Sequence, residues 1–215
     1  MIKIFPLWFR LTRFYVKARK INSNNQLSRA DKIAEMHKLE KRYIGDKTKA
    51  EALQLGKESS GSTAAAIGMK DIAGIYCDLK CAYDCRQYTS RAAVYFIDCK
   101  KKNSHIIEAH YFCFLYTGLA YLMDYDMENA FKFIDWMNEF VNFEIERQPD
   151  NARLQQMRCY GYSKVYDGFV DLYNQIEKPE LRAKVHDYIL NELLTWEKND
   201  PGNEKLISII NHWKQ

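Results

Sequence analysis

Ala109 to Met123 reads AHYFCFLYTGLAYLM, fifteen residues without a formal charge between Glu108 and Asp124. Drawn as a helix, it carries apolar or aromatic groups on every side, and a helix of that kind sits in the middle of something. A bilayer is a poor match. At 1.5 Å per residue the run rises only about 22 Å, against roughly 30 Å of hydrocarbon, and His110 lies inside it. The stretch therefore predicts a buried central helix.

Asp124, Tyr125 and Asp126 make a short connection, after which Met127 to Arg147 carries the 3.6-residue period in Ala130, Phe133, Ile134, Met137, Phe140 and Val141. That face is expected to pack back on the central helix. Lys132, Asp135, Glu139, Asn142 and Glu146 gather on the opposite side as a solvated strip, and Trp136 and Phe143 lie on the shoulder between the two. Phe114, Gly118, Tyr121, Asp126, Ala130 and Ile134 have the small-and-aromatic spacing that resembles one tetratricopeptide repeat over residues 111–144. Met137 stands where that repeat carries a small residue. The resemblance implies two antiparallel helices packed through these positions, and it points toward peptide binding; second and third copies are not visible in the sequence.

The whole chain has 215 residues, 47% hydrophobic and 28% charged, with nine glycines and four prolines. Such a chain can bury one sizeable core, and its long periodic segments predict an all-α fold of about seven helices, either an antiparallel helical bundle or stacked helical hairpins. The six cysteines, Cys77, Cys81, Cys85, Cys99, Cys113 and Cys159, all fall inside helical patterns of a chain too large to need stapling. That usage, with no secretory signal visible, suggests a reducing, cytoplasmic setting.

Charge is unevenly placed. Lys3, Arg10, Arg13, Lys17, Arg19, Lys20 and Arg29 all precede the first acid, Asp31, and the remainder is faintly acidic. Leu7, Leu11, Phe14, Tyr15, Ala18 and Ile21 form one arc of a helix opened by Pro6, with Arg10, Arg13, Lys17 and Lys20 on another. Residues 1–21 thus read as a basic amphipathic N-terminal helix, able to lie on an anionic membrane or dock on a partner, and 22–215 as a single all-α domain.

Ser28 and Asp31 have the spacing of a capping box for a second helix carrying Ile33, Met36, Leu39 and Tyr43. Gly45 and Asp46 are expected to break it before a short segment, Ala50 to Leu55. Gly56 to Thr63, GKESSGST, imitates the spacing of a phosphate-binding loop, but Ser62 stands where the lysine is needed and no strand precedes it, so it reads as a loop between helices. One long helix is expected from Ala64 or Met69 to Cys99, with Lys100 to Asn103 as a basic loop after it. Three more follow: Asn151 to Ile176, where Gly161 and Gly168 invite close helix approach; one begun by Pro179; and a last one bearing Leu206, Ile209, Ile210 and Trp213.

Three patterns suggest chemistry. Cys77, Cys81 and Cys85 would stack along one helix, where thiolates could take Cu(I) or Zn(II), although core filling is the simpler use. Di-iron bundles need Glu-x-x-His; the chain has only the reverse, His37 with Glu40 and His105 with Glu108, each pair on one helical face. His186 and Asp187 form the doublet that is central to the HD-domain phosphohydrolases, whose metal shell His105 or His110 and Asp200 would complete by that resemblance. No Gly-x-Ser-x-Gly elbow or other nucleophile stands out.

The leading functional reading is a non-catalytic interaction protein of the adaptor, inhibitor or immunity type, needing no cofactor and no metal. It rests on aromatic residues that contribute large contact area at low entropic cost, with Trp136 and Phe143 on one shoulder and Tyr162, Tyr166 and Tyr173 on the next, bordering one groove for a protein or peptide. Nucleic acid is not the expected partner. The alternatives are a peripheral membrane scaffold held by Arg10, Arg13, Lys17 and Lys20, and a metal-dependent all-α enzyme of the HD-like phosphohydrolase kind.

Overall fold

The computed structural model describes residues 6–45, 59–98 and 103–214, and among these every regular element is an α-helix. In chain order the helices are α1 (Leu7–Asn22), α2 (Arg29–Tyr43), α3 (Ser59–Asp78), α4 (Ala82–Asp98), α5 (Ser104–Met123), α6 (Met127–Arg147), α7 (Ala152–Gln175), α8 (Pro179–Asn199) and α9 (Glu204–Trp213). The all-helical expectation holds, with nine helices among the described residues.

One long helix expected from the sequence is in fact two, α3 and α4. Lys80 has φ +55°, its N–H reaches Cys77 O at 2.9 Å, and the Cys81 N–H reaches Tyr76 O at 2.8 Å. This pair of bonds closes a helix through one left-handed residue. Glycine usually fills that place because the conformation costs an L-residue roughly 1–2 kcal/mol; a lysine there leaves no mark in the sequence. The turn between α5 and α6 is built the same way, with Tyr125 at φ +60°, its N–H on Leu122 O at 3.1 Å, and Asp126 N–H on Tyr121 O at 3.0 Å. YCDLKC at 76–81 and YLMDYD at 121–126 are therefore one turn used twice.

The loop expected over residues 56–63 is helical from Ser59 onward, since serine and threonine are tolerated in a first helical turn. Residues 56–58, the segment expected over 50–55, the bend at Asp46, Cys99 and most of the basic loop that follows lie outside the described residues. Side chains cap several of the helix starts. Ser28 Oγ accepts the Asp31 N–H at 3.1 Å, and Asn103, Asp126, Asn151 and Asn203 cap α5, α6, α7 and α9 with side-chain oxygens.

Helix α5 touches α3, α4, α6 and α7. It is long and apolar enough to cross a membrane, yet 67% of the apolar window is buried inside the protein, so other helices meet its hydrophobic demand. Gly118 lets α6 come close: a β-carbon there would stand 2.8 Å from Ile134 Cγ1. On the other side, a β-carbon at Gly161 of α7 would collide with the Tyr111 hydroxyl. Both glycines serve proximity, as the sequence suggested for α7.

Helices α1, α3, α5, α7 and α9 touch in succession, while α2 touches α1, α4 touches α3 and α5, α6 touches α5 and α7, and α8 touches α7 and α9. Helix α1 joins this core through Leu7, Leu11, Phe14 and Ala18, the last three with no exposed surface. Its Arg10 is buried too, donating to Tyr43 O at 3.3 Å and Ile44 O at 3.4 Å at the end of α2. Arg13, Lys17 and Lys20 remain on the exposed side.

Candidate metal centre

His37 and Glu40 are three residues apart on α2, which places both side chains on one face. The turn at Lys80 ends α3 and aims the first turn of α4 at that face. His37 Nε2 lies 3.0 Å from Asp84 Oδ2, and the ligand atoms of His37, Glu40 and Asp84 all fall within 4.8 Å of one another. Three donors of the kinds that hold transition metals therefore converge from two helices.

Glu40 is fixed by two phenols. Tyr88 OH donates to its Oε1 at 2.7 Å and Tyr76 OH to its Oε2 at 3.1 Å, and the two tyrosine rings stack with centroids 5.8 Å apart. Both rings are almost fully buried. Burial, followed by the negative charge of Glu40, pushes both phenols well above the usual tyrosine range, so they stay protonated and keep donating. Each carboxylate oxygen has a further lone pair, and outer hydrogen bonds of this type orient a ligand toward a metal.

Asp84 has a second neighbour, the Cys81 thiol, which donates to Oδ2 at 3.0 Å. Burial, followed by the hydrogen bond to Asp84, pushes that thiol up to about 12. It is a hydrogen-bond donor in this state, and only as a ligand itself would it have to give up its proton. Half of the His37 side chain is exposed against 17% of Asp84, so the cluster opens to solvent on the histidine side. In a tetrahedral site the ligand atoms stand about 3.4 Å apart, given metal–ligand bonds near 2.0–2.2 Å. The observed separations, from 3.0 Å up to at most 4.8 Å, bracket that value.

No family model, no curated protein and no solved structure matches the chain. The chemistry has to be read from the residues.

The residues singled out in the sequence fall in several places. Trp136 and Phe143 are exposed on α6, with the Lys132 ammonium 5.1 Å from the Trp136 ring. Tyr162 is buried, stacked on Trp196 and hydrogen-bonded to Asp200 at 3.2 Å. Tyr166 and Tyr173 are half-buried against Trp213 of α9, with centroids at 6.1 and 5.6 Å. Of the two shoulders, Phe143 and Tyr162 line one cleft together with Trp196, while Tyr166 and Tyr173 face α9.

His186 Nε2 lies 2.9 Å from Trp213 O, its carbonyl accepts the Trp213 indole N–H at 3.2 Å, and the two rings stack at 5.4 Å. The doublet ties α8 to α9. Asp200 pairs with Arg158 at 3.0 Å, His110 lies among Phe96, Phe114 and Phe140, and Glu108 pairs with Arg153. None of these joins His186. The cysteine stripe crosses the break: Cys77 in the last turn of α3 and the buried Cys85 of α4 stay in side-chain contact, the Cys85 thiol also lies 3.4 Å from Tyr116 O, and Cys81 sits in the turn, facing Asp84.

The sequence offered His37 with Glu40 as one of two reversed pairs. What it lacked was Asp84, because the turn that brings Asp84 across is not encoded by a glycine. The second pair gathers no third ligand: among the described residues, the His37 group is the set of three so placed.

Proposed function

We propose that the protein is a metal-dependent all-α protein that holds one divalent transition-metal ion through His37 Nε2 and the carboxylates of Glu40 and Asp84. The observation that carries this reading is the convergence of those three ligand atoms within 4.8 Å, with Glu40 braced by Tyr76 and Tyr88. A nitrogen and two carboxylate oxygens suit zinc, manganese or iron(II), and three protein ligands leave a position for water. Metal-assisted hydrolysis is the reaction class that such an open position favours. The histidine edge, half-exposed, is where a substrate would approach.

The test is metal content and affinity. Protein purified without chelator is analysed by plasma mass spectrometry, then titrated with Zn²⁺ and Mn²⁺ beside His37→Ala and Asp84→Asn. Near-stoichiometric metal lost in both variants supports the centre. Equal uptake by wild type and variants rejects it. Metal-dependent cleavage of bis(p-nitrophenyl) phosphate, abolished by the same changes, separates a catalytic ion from a structural one.

A second reading, a protein-interaction module built as stacked helical hairpins, draws on two observations. The odd-numbered helices touch in succession and the turn geometry at Lys80 recurs at Tyr125. Trp136 and Phe143 would then be exposed anchors on the even-numbered layer. For α1, the exposed Trp8 and Val16 beside Arg13, Lys17 and Lys20 support docking on an anionic membrane surface. Vesicle flotation with and without anionic lipid tests that surface.

A further inference from the structure

Tyr76 of α3 and Asp84 of α4 face α2, where the first bonds to Glu40 and the second meets His37. Their chain neighbours, Cys77 and Cys85, turn to the other side of the hairpin, where Cys77 lines a cleft with Leu119 of α5 and the Cys85 thiol lies 3.4 Å from Tyr116 O. There the two thiols meet. Cys85 and Cys77 share a hydrogen bond across the connection 79–81. Cys81, four residues from each, takes no part in it, since its thiol donates to Asp84 on the α2 side.

Both members of the pair are buried, but not equally. Cys85 has no exposed surface, whereas Cys77, 6% exposed, forms part of the wall of a cleft of about 530 Å³ between the ends of α3, α5 and α7. The cleft brings solvent to the Cys77 edge of the pair. The hydrogen bond to Cys77, followed by burial, pushes the Cys85 thiol well above its usual range, so that it keeps its proton. In a dithiol so arranged the roles divide: the sulfur at the cleft is the one that a small oxidant meets, and the sealed sulfur resolves what forms there.

We propose that Cys77 and Cys85 are an oxidative modification site, closed to an intrachain disulfide between α3 and α4 by a small hydroperoxide. The Cys77 sulfur attacks the outer oxygen of the peroxide. The S–O bond forms as the O–O bond breaks, the departing oxygen takes the thiol proton and leaves as an alcohol, or as water from hydrogen peroxide, and Cys77 becomes a sulfenic acid. Cys85 then attacks that sulfur: the S–S bond forms, the S–O bond breaks, and the Cys85 proton leaves with the hydroxide as water. Two electrons pass from the two thiols to one hydroperoxide. Side chains that already touch across a short turn meet the close approach that a disulfide demands, and where a chain is otherwise kept reduced such bonds are transient, sensing ones. The site contains no ligand of the His37 cluster and stands whether or not that cluster holds metal.

The bond can be read directly. Trypsin cuts after Lys70, Lys80 and Arg86, releasing DIAGIYCDLK (71–80) with Cys77 and CAYDCR (81–86) with Cys81 and Cys85. The full chain, reduced and freed of reductant, is treated with hydrogen peroxide, labelled with iodoacetamide in denaturant and digested without reductant. Expected is the loss of two free thiols per chain, reversed by dithiothreitol, with peptides 71–80 and 81–86 joined through Cys85 and the alkyl label on Cys81. Cys81→Ser should form the same bond, and Cys85→Ala should leave Cys77 to go on to the sulfinic acid. Circular dichroism checks that each chain is folded before oxidation. The proposal is overturned if a peroxide level that consumes the thiols of the urea-unfolded chain leaves them all free in the folded one, if the bond runs through Cys81 or through Cys113, the further thiol near Cys85, or if Cys85→Ala still loses two thiols.

Discussion

The hydroxyl of Tyr88 on α4 donates to Oε1 of Glu40 on α2 at 2.7 Å, a bond that spans 48 residues of chain. It places a carboxylate whose neighbour on α2, His37, already reaches Asp84 on α4. A buried phenol whose proton is held by its surroundings is a donor that does not switch off near neutral pH, so Glu40 keeps one orientation. The candidate centre is thus oriented from α4 as much as from α2.

Tyr88→Phe removes that donor while keeping the ring stacked on Tyr76. We expect zinc affinity to fall about tenfold, the size typical of losing an outer-shell partner, with His37 and Asp84 untouched. Competition against a chromophoric chelator measures it. Unchanged affinity would mean that Glu40 is not a ligand.

Lys80→Gly should stabilise the protein. The left-handed conformation at this position costs lysine roughly 1–2 kcal/mol that glycine avoids, and the ion pair lost to Asp171 joins two side chains that are each 48% exposed, a class worth about 0–1 kcal/mol. Chemical denaturation should move to higher midpoint by a net gain of about 0–2 kcal/mol. A lower midpoint would show that the ion pair outweighs backbone strain.

Phe14→Ala tests whether α1 belongs to the core. The ring is fully buried and lies 6.4 Å from Tyr88, so a loss of about 3–5 kcal/mol is expected. Its neighbour Val16, 48% exposed, provides the control: Val16→Ala should be nearly silent. Similar melting of both variants would place α1 outside the cooperative unit.

Cys81 should resist alkylation. With its thiol pushed up to about 12 from an ordinary value of 9.0, the thiolate is scarce at pH 8. Iodoacetamide labelling, read by mass spectrometry, should be at least about tenfold slower in the native than in the unfolded chain and should accelerate as pH rises toward 12. Asp84 is among the groups that raise the thiol, so Asp84→Asn should speed labelling at pH 8. If Asp84→Asn slows it, the hydrogen bond does not hold the proton on sulfur.

The amino-acid sequence by itself determined what periodicity and capping encode. Fifteen uncharged residues apolar on all sides required a central helix, and the period of Met127–Arg147 required a partner folded back on it. Ser28 with Asp31, and the close approach at Gly161, were legible because capping and small residues are local signals, while Tyr111 as the neighbour of Gly161 was not. Tertiary structure alone decided the break at Lys80, since a left-handed residue that is not glycine carries no local signature and its cost is met by contacts elsewhere. With that break came the site. His37 and Glu40 were visible as a pair on one turn of helix, but Asp84, Tyr76 and Tyr88 reach them only when α3 and α4 fold into a hairpin beside α2, and such distance in sequence leaves no spacing to read. The burial of Tyr162 is of the same kind: whether it faces solvent or Trp196 is settled by where α8 and α9 pack, which no period within α7 records.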